Sequence, residues 1–311
     1  MKPPISYYGG KQRIASKIVP YIPKHTVYAE PYCGGATILF AKPWPRVSNT
    51  HNYREYINDT DERLINFYRV LQDEEKSKKL IRRLEFTLYS EAEHRKAKNL
   101  DDGTDIDRAW AYYVNVNQSF ANKINAGWGR SVYGRNLQST WIQKISRLPE
   151  YLNRMAAAGI ASTPALKFIQ QYDSPQTFFY IDPPYPETDQ GHYKGFTIDD
   201  FNELTDLLRT IQGSFILSCY DFEGMRISDE WERVEIEAHC FASGKGKVNG
   251  DRSRRATTEE LGDRTRTEIL YIKQSEEPRD EIKKLYATGT YDCFTGDQMF
   301  APGLFDMEAK R

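Results

Sequence analysis

Asp182-Pro183-Pro184-Tyr185 directly follows the apolar run Phe178-Phe179-Tyr180-Ile181. This places a short polar segment at the C-terminal end of a buried strand, where open α/β sheets bind their ligands. With each letter near 5% usage, chance produces such a tetrapeptide roughly twice in a thousand chains of this length. Two prolines keep the backbone extended and remove two amide donors. What remains is the Asp182 carboxylate, a set of backbone carbonyl acceptors and the flat ring of Tyr185. Acceptors beside an aromatic plate suit an exocyclic amine on a flat heterocycle, such as adenine N6 or cytosine N4.

Three further segments carry chemistry. Tyr28-Ala29-Glu30-Pro31-Tyr32-Cys33-Gly34-Gly35-Ala36-Thr37 reads as a strand, a Gly-rich turn and a helix start. Glycines there let a ligand approach the backbone and permit positive φ. Neither the Gly-x-Gly-x-x-Gly spacing of a dinucleotide fold nor a P-loop is present, and a Gly-Gly pair by itself also fits a plain tight turn. The next strand ends in Asn58-Asp59, where a carboxylate could accept both hydroxyls of a ribose or cap the following helix. Near the N-terminus, Ser6-Tyr7-Tyr8-Gly9-Gly10-Lys11 offers Lys11 as a point charge for a carboxylate or phosphate.

The elements that must position these residues follow the βαβα order of a parallel sheet. Val27-Tyr28-Ala29 and Tyr56-Ile57 are predicted strands, Thr37 to Ala41 the start of a helix, and Asp61 to Leu71 a helix with Leu64, Phe67, Tyr68 and Leu71 on one face. Asp73 to Asn99 then reads as a charged helical stretch, Arg108 to Asn117 as a helix, and Thr140 to Ala158 as a helix broken at Pro149. Strands return at Phe178 to Ile181, Ser214 to Cys219, Trp231 to Glu237 and Glu268 to Lys273. Between the first two of these, Thr197 with Asp200 opens a helix in a capping pattern. The predicted fold is α/β: a doubly wound, mostly parallel sheet interrupted by a mostly helical insertion. Residues 1–71 and 160–273 form the discontinuous core, 72–159 the insertion and 274–311 a C-terminal tail. Ser243 to Thr258, rich in Gly, Ser and Arg, reads as a mobile loop.

The 311 residues carry a net charge of −1, with 39% hydrophobic and 28% charged residues, an ordinary globular balance with no apolar stretch long enough for a membrane span. A cytoplasmic location is expected. Cys33, Cys219, Cys240 and Cys293 are scattered, which argues against structural zinc, a disulfide framework and any metal centre. The neutral total hides an asymmetry. From Arg108 to Pro149 there is no acidic residue, while Arg108, Lys123, Arg130, Arg135, Lys144 and Arg147 are interleaved with Tyr112, Tyr113, Phe120, Trp128, Tyr133 and Trp141. This reads as a phosphate-binding surface; the plain alternative is a solvated face with a few core aromatics.

Taken in order, these segments resemble the Dam-type (D12 class) N6-adenine-specific DNA methyltransferases. That family pairs an N-terminal aromatic-x-Gly-Gly-Lys with Glu-Pro-aromatic-x-Gly-Gly after the first strand, an Asp after the second and Asp-Pro-Pro-Tyr after the fourth. The match extends to Arg266-Thr267-Glu268-Ile269-Leu270 in the last strand. Pro186 after the tetrapeptide and Tyr172-Asp173-Ser174-Pro175 before it are most similar to the phage and prophage branch. The resemblance implies an S-adenosylmethionine-dependent, Rossmann-like fold with target recognition in the insertion. It implies methyl transfer to adenine N6 in double-stranded DNA at a specific site. By resemblance, Tyr7 and Lys11 meet the methionine part of S-adenosylmethionine; Glu30, Pro31, Tyr32, Cys33, Gly34 and Gly35 line its pocket; and Asp59 holds its ribose, with Asp182 at the pocket's edge. Asp182, Pro183, Pro184 and Tyr185 grip the base. Where relatives often carry Asp-Phe for the cofactor's adenine, this chain has Pro164-Ala165, so that contact is unassigned.

The residue chemistry gives the expected mechanism. N6 is a poor nucleophile because its lone pair is delocalised, and hydrogen bonds to Asp182 and the Pro183 carbonyl would localise it. The base must leave the duplex at a cost of a few kcal/mol, which stacking on Tyr185, worth about 1–3 kcal/mol, offsets. Lys123, Arg130 and Arg135 are the expected DNA contacts of the insertion, whereas Arg147 next to Leu148-Pro149 reads as a helix-end charge. Family members often recognise GATC, but Asn122 to Arg130 does not reproduce that branch's hairpin, so the target sequence stays open. A monomer is expected; a restriction endonuclease partner is compatible with the resemblance and leaves no trace in the sequence. Two other readings stand beside this one: an RNA N6-adenine methyltransferase, and a non-catalytic DNA-binding protein that keeps the fold.

Overall fold

A computed structural model describes residues 1–5, 10–43, 53–100, 102–131, 134, 136–186, 195–239 and 265–274. Tyr7, Arg135, the Ser243–Thr258 loop and nearly all of the tail lie outside them. Seven strands form one sheet: β1 (Val27–Glu30), β2 (Arg54–Asn58), β3 (Ala158–Ala161), β4 (Thr177–Ile181), β5 (Ser214–Cys219), β6 (Glu232–His239) and β7 (Thr265–Lys273). They lie in the order β3-β2-β1-β4-β5-β7-β6. The first five are mutually parallel; β7 runs antiparallel to both β5 and β6.

Both faces of the sheet are covered, which is why its central strands are apolar at every position rather than alternately. Successive side chains point to opposite faces, so Tyr28, Phe178, Tyr180, Ile216 and Ile272 enter one core and Ala29, Phe179, Ile181, Phe215 and Leu217 the other. The second core is closed by α9 (Ala165–Tyr172) and α10 (Ile198–Thr210), through Phe168, Ile169, Phe201, Leu204 and Leu208. The predicted Thr197 start of α10 is a reciprocal capping box with Asp200.

The first core receives α1 (Ala15–Ile18), α2 (Thr37–Ala41) and α3 (Glu62–Gln72), and continues without a break into the insertion. There, α4 (Glu74–Glu85), α5 (Glu91–Lys98), α6 (Asp105–Gln118), α7 (Leu137–Ser146) and α8 (Leu152–Ala156) follow one another. The central helix is α6, packed on α3, α4 and α5 and buried almost all round from Ala109 to Gln118. Its burial accounts for Tyr112 and Tyr113: they are core residues, as the plain alternative for the basic window held for part of its aromatics. The charged helical stretch is made of two helices, α4 and α5, because Ser90 caps a second start by accepting from the Glu93 amide.

One strand was not legible. Ala156-Ala157-Ala158 favours helix by propensity, yet β3 begins at Ala158 and pairs with β2 from Glu55 to Asn58; the free β2 edge outweighs a weak local preference. Gly159 is required there, since a Cβ would lie 2.4 Å from the Tyr56 ring. No helix among the described residues is long and apolar enough to cross a membrane.

Candidate active site

The strand order reverses direction between β1 and β4, so their C-terminal loops leave from neighbouring positions and open a crevice between them. The loop after β1 carries Glu30 to Gly35 and the loop after β4 carries Asp182 to Tyr185. The sequence alone placed both on strand ends; their adjacency comes from the sheet.

The β1 loop is stapled to its neighbours. The Cys33 amide donates to the Asn58 carbonyl (2.9 Å), and the Asn58 side-chain amide donates to the Pro31 and Thr163 carbonyls (2.9 Å each). Asp59 is buried, and its two oxygens accept from the amides of Gly34 and Asp61 (3.0 Å each). Gly34 has φ of 46° and Ala36 of 50°, so this turn is left-handed at two positions. Gly34 takes that conformation at little cost; Ala36 does not. The α3 cap is Asp61, whose carboxylate accepts from the Arg63 amide, which leaves Asp59 to the Gly turn.

Glu30 points inward. One of its oxygens accepts from the Tyr28 hydroxyl (2.5 Å) and from the Leu39 amide (2.7 Å). Burial lifts its pKa to about 7, against the opposing pull of those donors and of Lys42 and Arg154. Beneath it lies a buried ion network: Glu55 pairs with Arg154 and with Lys42, and Arg154 also donates to the Leu39 carbonyl (3.1 Å). Glu30 thus supports the turn from inside. Pro31 and Cys33 are buried, and Tyr32 packs edge-on against Phe196 at 6.3 Å.

The second group gathers around Lys11. Its ammonium lies 2.7 Å from Asp182 Oδ1, 2.7 Å from the Tyr185 hydroxyl and 3.3 Å from Glu268 Oε1. Burial works against the ammonium, but Asp182 and Glu268 more than reverse this and its pKa is raised. Burial also raises the Asp182 carboxyl, with Glu268 adding to the effect and Lys11 opposing it. Burial, followed by Asp182 and Glu268, keeps the Tyr185 phenol protonated. That hydroxyl is 3.1 Å from Glu268 Oε1 and 3.3 Å from Asp182 Oδ1, and the Tyr220 ring packs on Tyr185 at 4.7 Å. Pro183 and Pro184 are buried, while the Asp182 side chain remains 21% exposed.

Three members of this group carry no site role in the sequence reading, although Glu268 lies in the matching last-strand segment: Glu268, Ser218 and Tyr220. Each had a signal. Glu268 is a charge inside an apolar strand, and Ser218 and Tyr220 flank the C-terminal end of β5, the strand next to β4.

The insertion places its basic residues separately. Residues 118 to 129 form a narrow loop closed by Gly129 N to the Gln118 carbonyl (2.7 Å) and Phe120 N to the Gly127 carbonyl (2.8 Å). Ala121, Asn122 and Asn125 have positive φ, and the Asn115 side chain pins Asn125 from below. Phe120, whose amide makes the inner of these bonds, is 68% exposed; Lys123 is half-buried and Arg130 exposed. Lys144 donates to Asn117 (2.6 Å), Arg108 to the Gly103 carbonyl (2.6 Å), and Arg147 pairs with Glu150 (3.2 Å). Thus Lys11, Asp182 and Tyr185 form one cluster and Gly34 with Asp59 a second, while Lys123 and Arg130 belong to neither.

Comparison with known proteins gives a family match. The model of the D12 class N6 adenine-specific DNA methyltransferases matches residues 7–235, a span that holds both clusters except Glu268. No curated protein matches by sequence. Among solved structures, the rRNA methyltransferase aviRa from Streptomyces viridochromogenes is similar at 12% identity and a TM-score of 0.37, over 86% of this chain and 85% of that one.

Proposed function

The chain belongs to the D12 class of N6 adenine-specific DNA methyltransferases, and on that footing we propose that the Lys11–Asp182–Tyr185 cluster binds an extrahelical adenine of double-stranded DNA for methylation at N6. The observation that carries this reading is the partly exposed Asp182 carboxylate, fixed by Lys11 beside the Tyr185 ring. It is an acceptor set against an aromatic plate, which is what an amino-purine presents to.

The crevice fits S-adenosylmethionine by its donors and acceptors. Asp59 would take the ribose hydroxyls, the left-handed Gly34 turn admits close approach, and Lys11 offers an ammonium to the methionine carboxylate. When bound, that cofactor supplies an electrophilic methyl group on a sulfonium centre. This chain's residues do the rest. Asp182 and the Pro183 carbonyl accept the two N6–H bonds, which draws the nitrogen lone pair out of the ring and aims it. Asp182, with its carboxyl pKa raised by burial, is placed to receive the proton N6 sheds. Tyr185 stacks on the base, offsetting part of the few kcal/mol spent on unstacking it. Lys123 and Arg130, with Phe120 between the closing bonds of its loop, form the recognition surface on the duplex.

The test is methylation itself. Purified protein is incubated with S-adenosylmethionine and with duplex DNA or matched RNA, and N6-methyladenine is quantified by nucleoside mass spectrometry. Long-read sequencing of the DNA product gives the context. N6-methyladenine in DNA and not RNA is expected. Methylation of RNA alone, or none in the presence of measured cofactor binding, overturns the reading.

A further inference from the structure

We infer that Glu268 is a positioning residue for the transfer: it shares the Lys11 ammonium with Asp182, so that Asp182 can take the target amine without stranding a buried cation. The inference rests on the function proposed above.

Glu268 lies on β7 with its side chain 1% exposed. Its Oε1 accepts from the Ser218 hydroxyl at 2.6 Å and faces the Tyr185 hydroxyl at 3.1 Å and Lys11 Nζ at 3.3 Å. Two of these three partners come from residues 11 and 185, in segments that carry the base-gripping cluster. A carboxylate whose task was to hold the strands together would instead bond to neighbouring strands throughout. Placed 3.3 Å from the ammonium that also binds Asp182, it sets two carboxylates against one cation and leaves one net negative charge in the pocket. That charge costs stability when the pocket is buried, and it is matched to positive charge developing on N6 during methyl transfer.

The arrangement also bears on Lys11 when a base arrives. An amine that bonds to Asp182 competes with Lys11 for the charge of that carboxylate and weakens its hold on the ammonium. If Asp182 were the sole counter-charge, the buried ammonium would be left poorly compensated while the base is bound, a costly state. With Glu268 in place, Lys11 keeps a partner and is free to turn its remaining donors toward the cofactor's carboxylate. The same Glu268 carboxylate bonds the Tyr185 hydroxyl, which holds the stacking ring at a set angle.

The experiment compares Glu268→Gln and Glu268→Asp with wild type, in the full-length protein. It measures single-turnover methylation of an oligonucleotide duplex, KM for that duplex and the dissociation constant of S-adenosylmethionine by calorimetry. Glu268→Gln should slow single turnover by about tenfold or more and raise the DNA KM, while cofactor affinity stays within about threefold. Glu268→Asp should recover part of the rate. Because Glu268 acts through Lys11, adding Glu268→Gln to Lys11→Gln should cost less than about threefold further. An unaltered rate in Glu268→Gln, or losses that multiply in the double variant, overturns the inference. If Glu268→Gln does not fold, Ser218→Ala keeps the charge and removes its shortest hydrogen bond; it should show the same split at smaller size, and an unchanged Ser218→Ala enzyme overturns the inference equally. Wild-type protein that fails to methylate DNA overturns the proposed function; an active wild type with an indifferent Glu268 overturns this inference alone.

Discussion

Lys11 Nζ and Asp182 Oδ1 meet at 2.7 Å although 171 positions separate them in the chain. The pair joins the segment ahead of the first strand to the loop after the fourth, and it holds the Asp182 carboxylate in one orientation before any base is present. Preorganisation of that kind is worth more in a buried site than in water, because the acceptor does not have to be reoriented during the reaction.

Asp182→Ala is expected to lower methyl transfer by at least about a hundredfold, the scale of losing one preorganised group at a reacting centre. Cofactor affinity should change little, since the carboxylate acts on the base. Quench-flow rates and calorimetry on the same preparation check both parts. Wild-type turnover in this variant removes the central claim.

Tyr185→Ala should be milder, and its defect should shrink on mismatched or single-stranded targets, where less unstacking has to be offset. A penalty equal on matched and mismatched duplexes would mean that the ring does not stack on the base. Tyr185→Phe keeps the plate and removes only the hydroxyl shared by Lys11, Asp182 and Glu268, so it separates stacking from polar anchoring.

Asp59→Ala should weaken S-adenosylmethionine binding by about tenfold or more, because it removes the ribose acceptor and also releases the Gly34 and Asp61 amides. Asp59→Asn, whose amide oxygen still accepts from one of them, should lose less. Loss of DNA binding with unchanged cofactor affinity would show that Asp59 serves the other ligand.

The Glu30 carboxyl gives a pH signature. Its folded pKa is raised to about 7, above that of an unfolded Glu near 4.3. The protonated form is therefore favoured by folding. Its stabilisation is fully present below about pH 4.3 and is lost as the pH rises through about 7. Glu30→Gln can still accept from Tyr28 and Leu39 and has no charge to lose. Its stability, and with it its melting temperature, should fall less than that of wild type between pH 5 and 8, the stability difference amounting to at most about 3 kcal/mol. Parallel melting curves across that window would refute the assignment.

On the insertion, Lys123→Ala and Arg130→Ala should weaken duplex binding and flatten its dependence on salt, by about one unit of slope for each phosphate that is no longer neutralised. If one of them reads a base, its removal should relax the preferred site instead. Arg147→Ala should do neither, since Arg147 pairs with Glu150 at a helix end. Unchanged affinity and preference in both loop variants would move the recognition surface elsewhere.

The sequence by itself determined the strands that end in chemistry. Apolar runs closed by Asp182-Pro183-Pro184-Tyr185 or by Asn58-Asp59 are local patterns, readable because burial on both sheet faces demands apolar residues throughout the strand. The Thr197 cap and the Asp61–Leu71 helix were legible for the same reason, each being settled by near neighbours in the chain. The tertiary structure alone decided which of these ends share a pocket. It turned Glu30 inward and gave the α3 cap to Asp61 rather than Asp59. It made a strand of residues 158–161, where an Ala-rich local signal was outweighed by pairing with β2. It brought Glu268 to Ser218, Tyr185 and Lys11 through the antiparallel placement of β7 beside β5, and Tyr220 to Tyr185 through the parallel placement of β5 beside β4. Such pairings join residues far apart in the chain, and no local propensity carries them, because their free energy comes from excluding water between surfaces that only the completed sheet brings together.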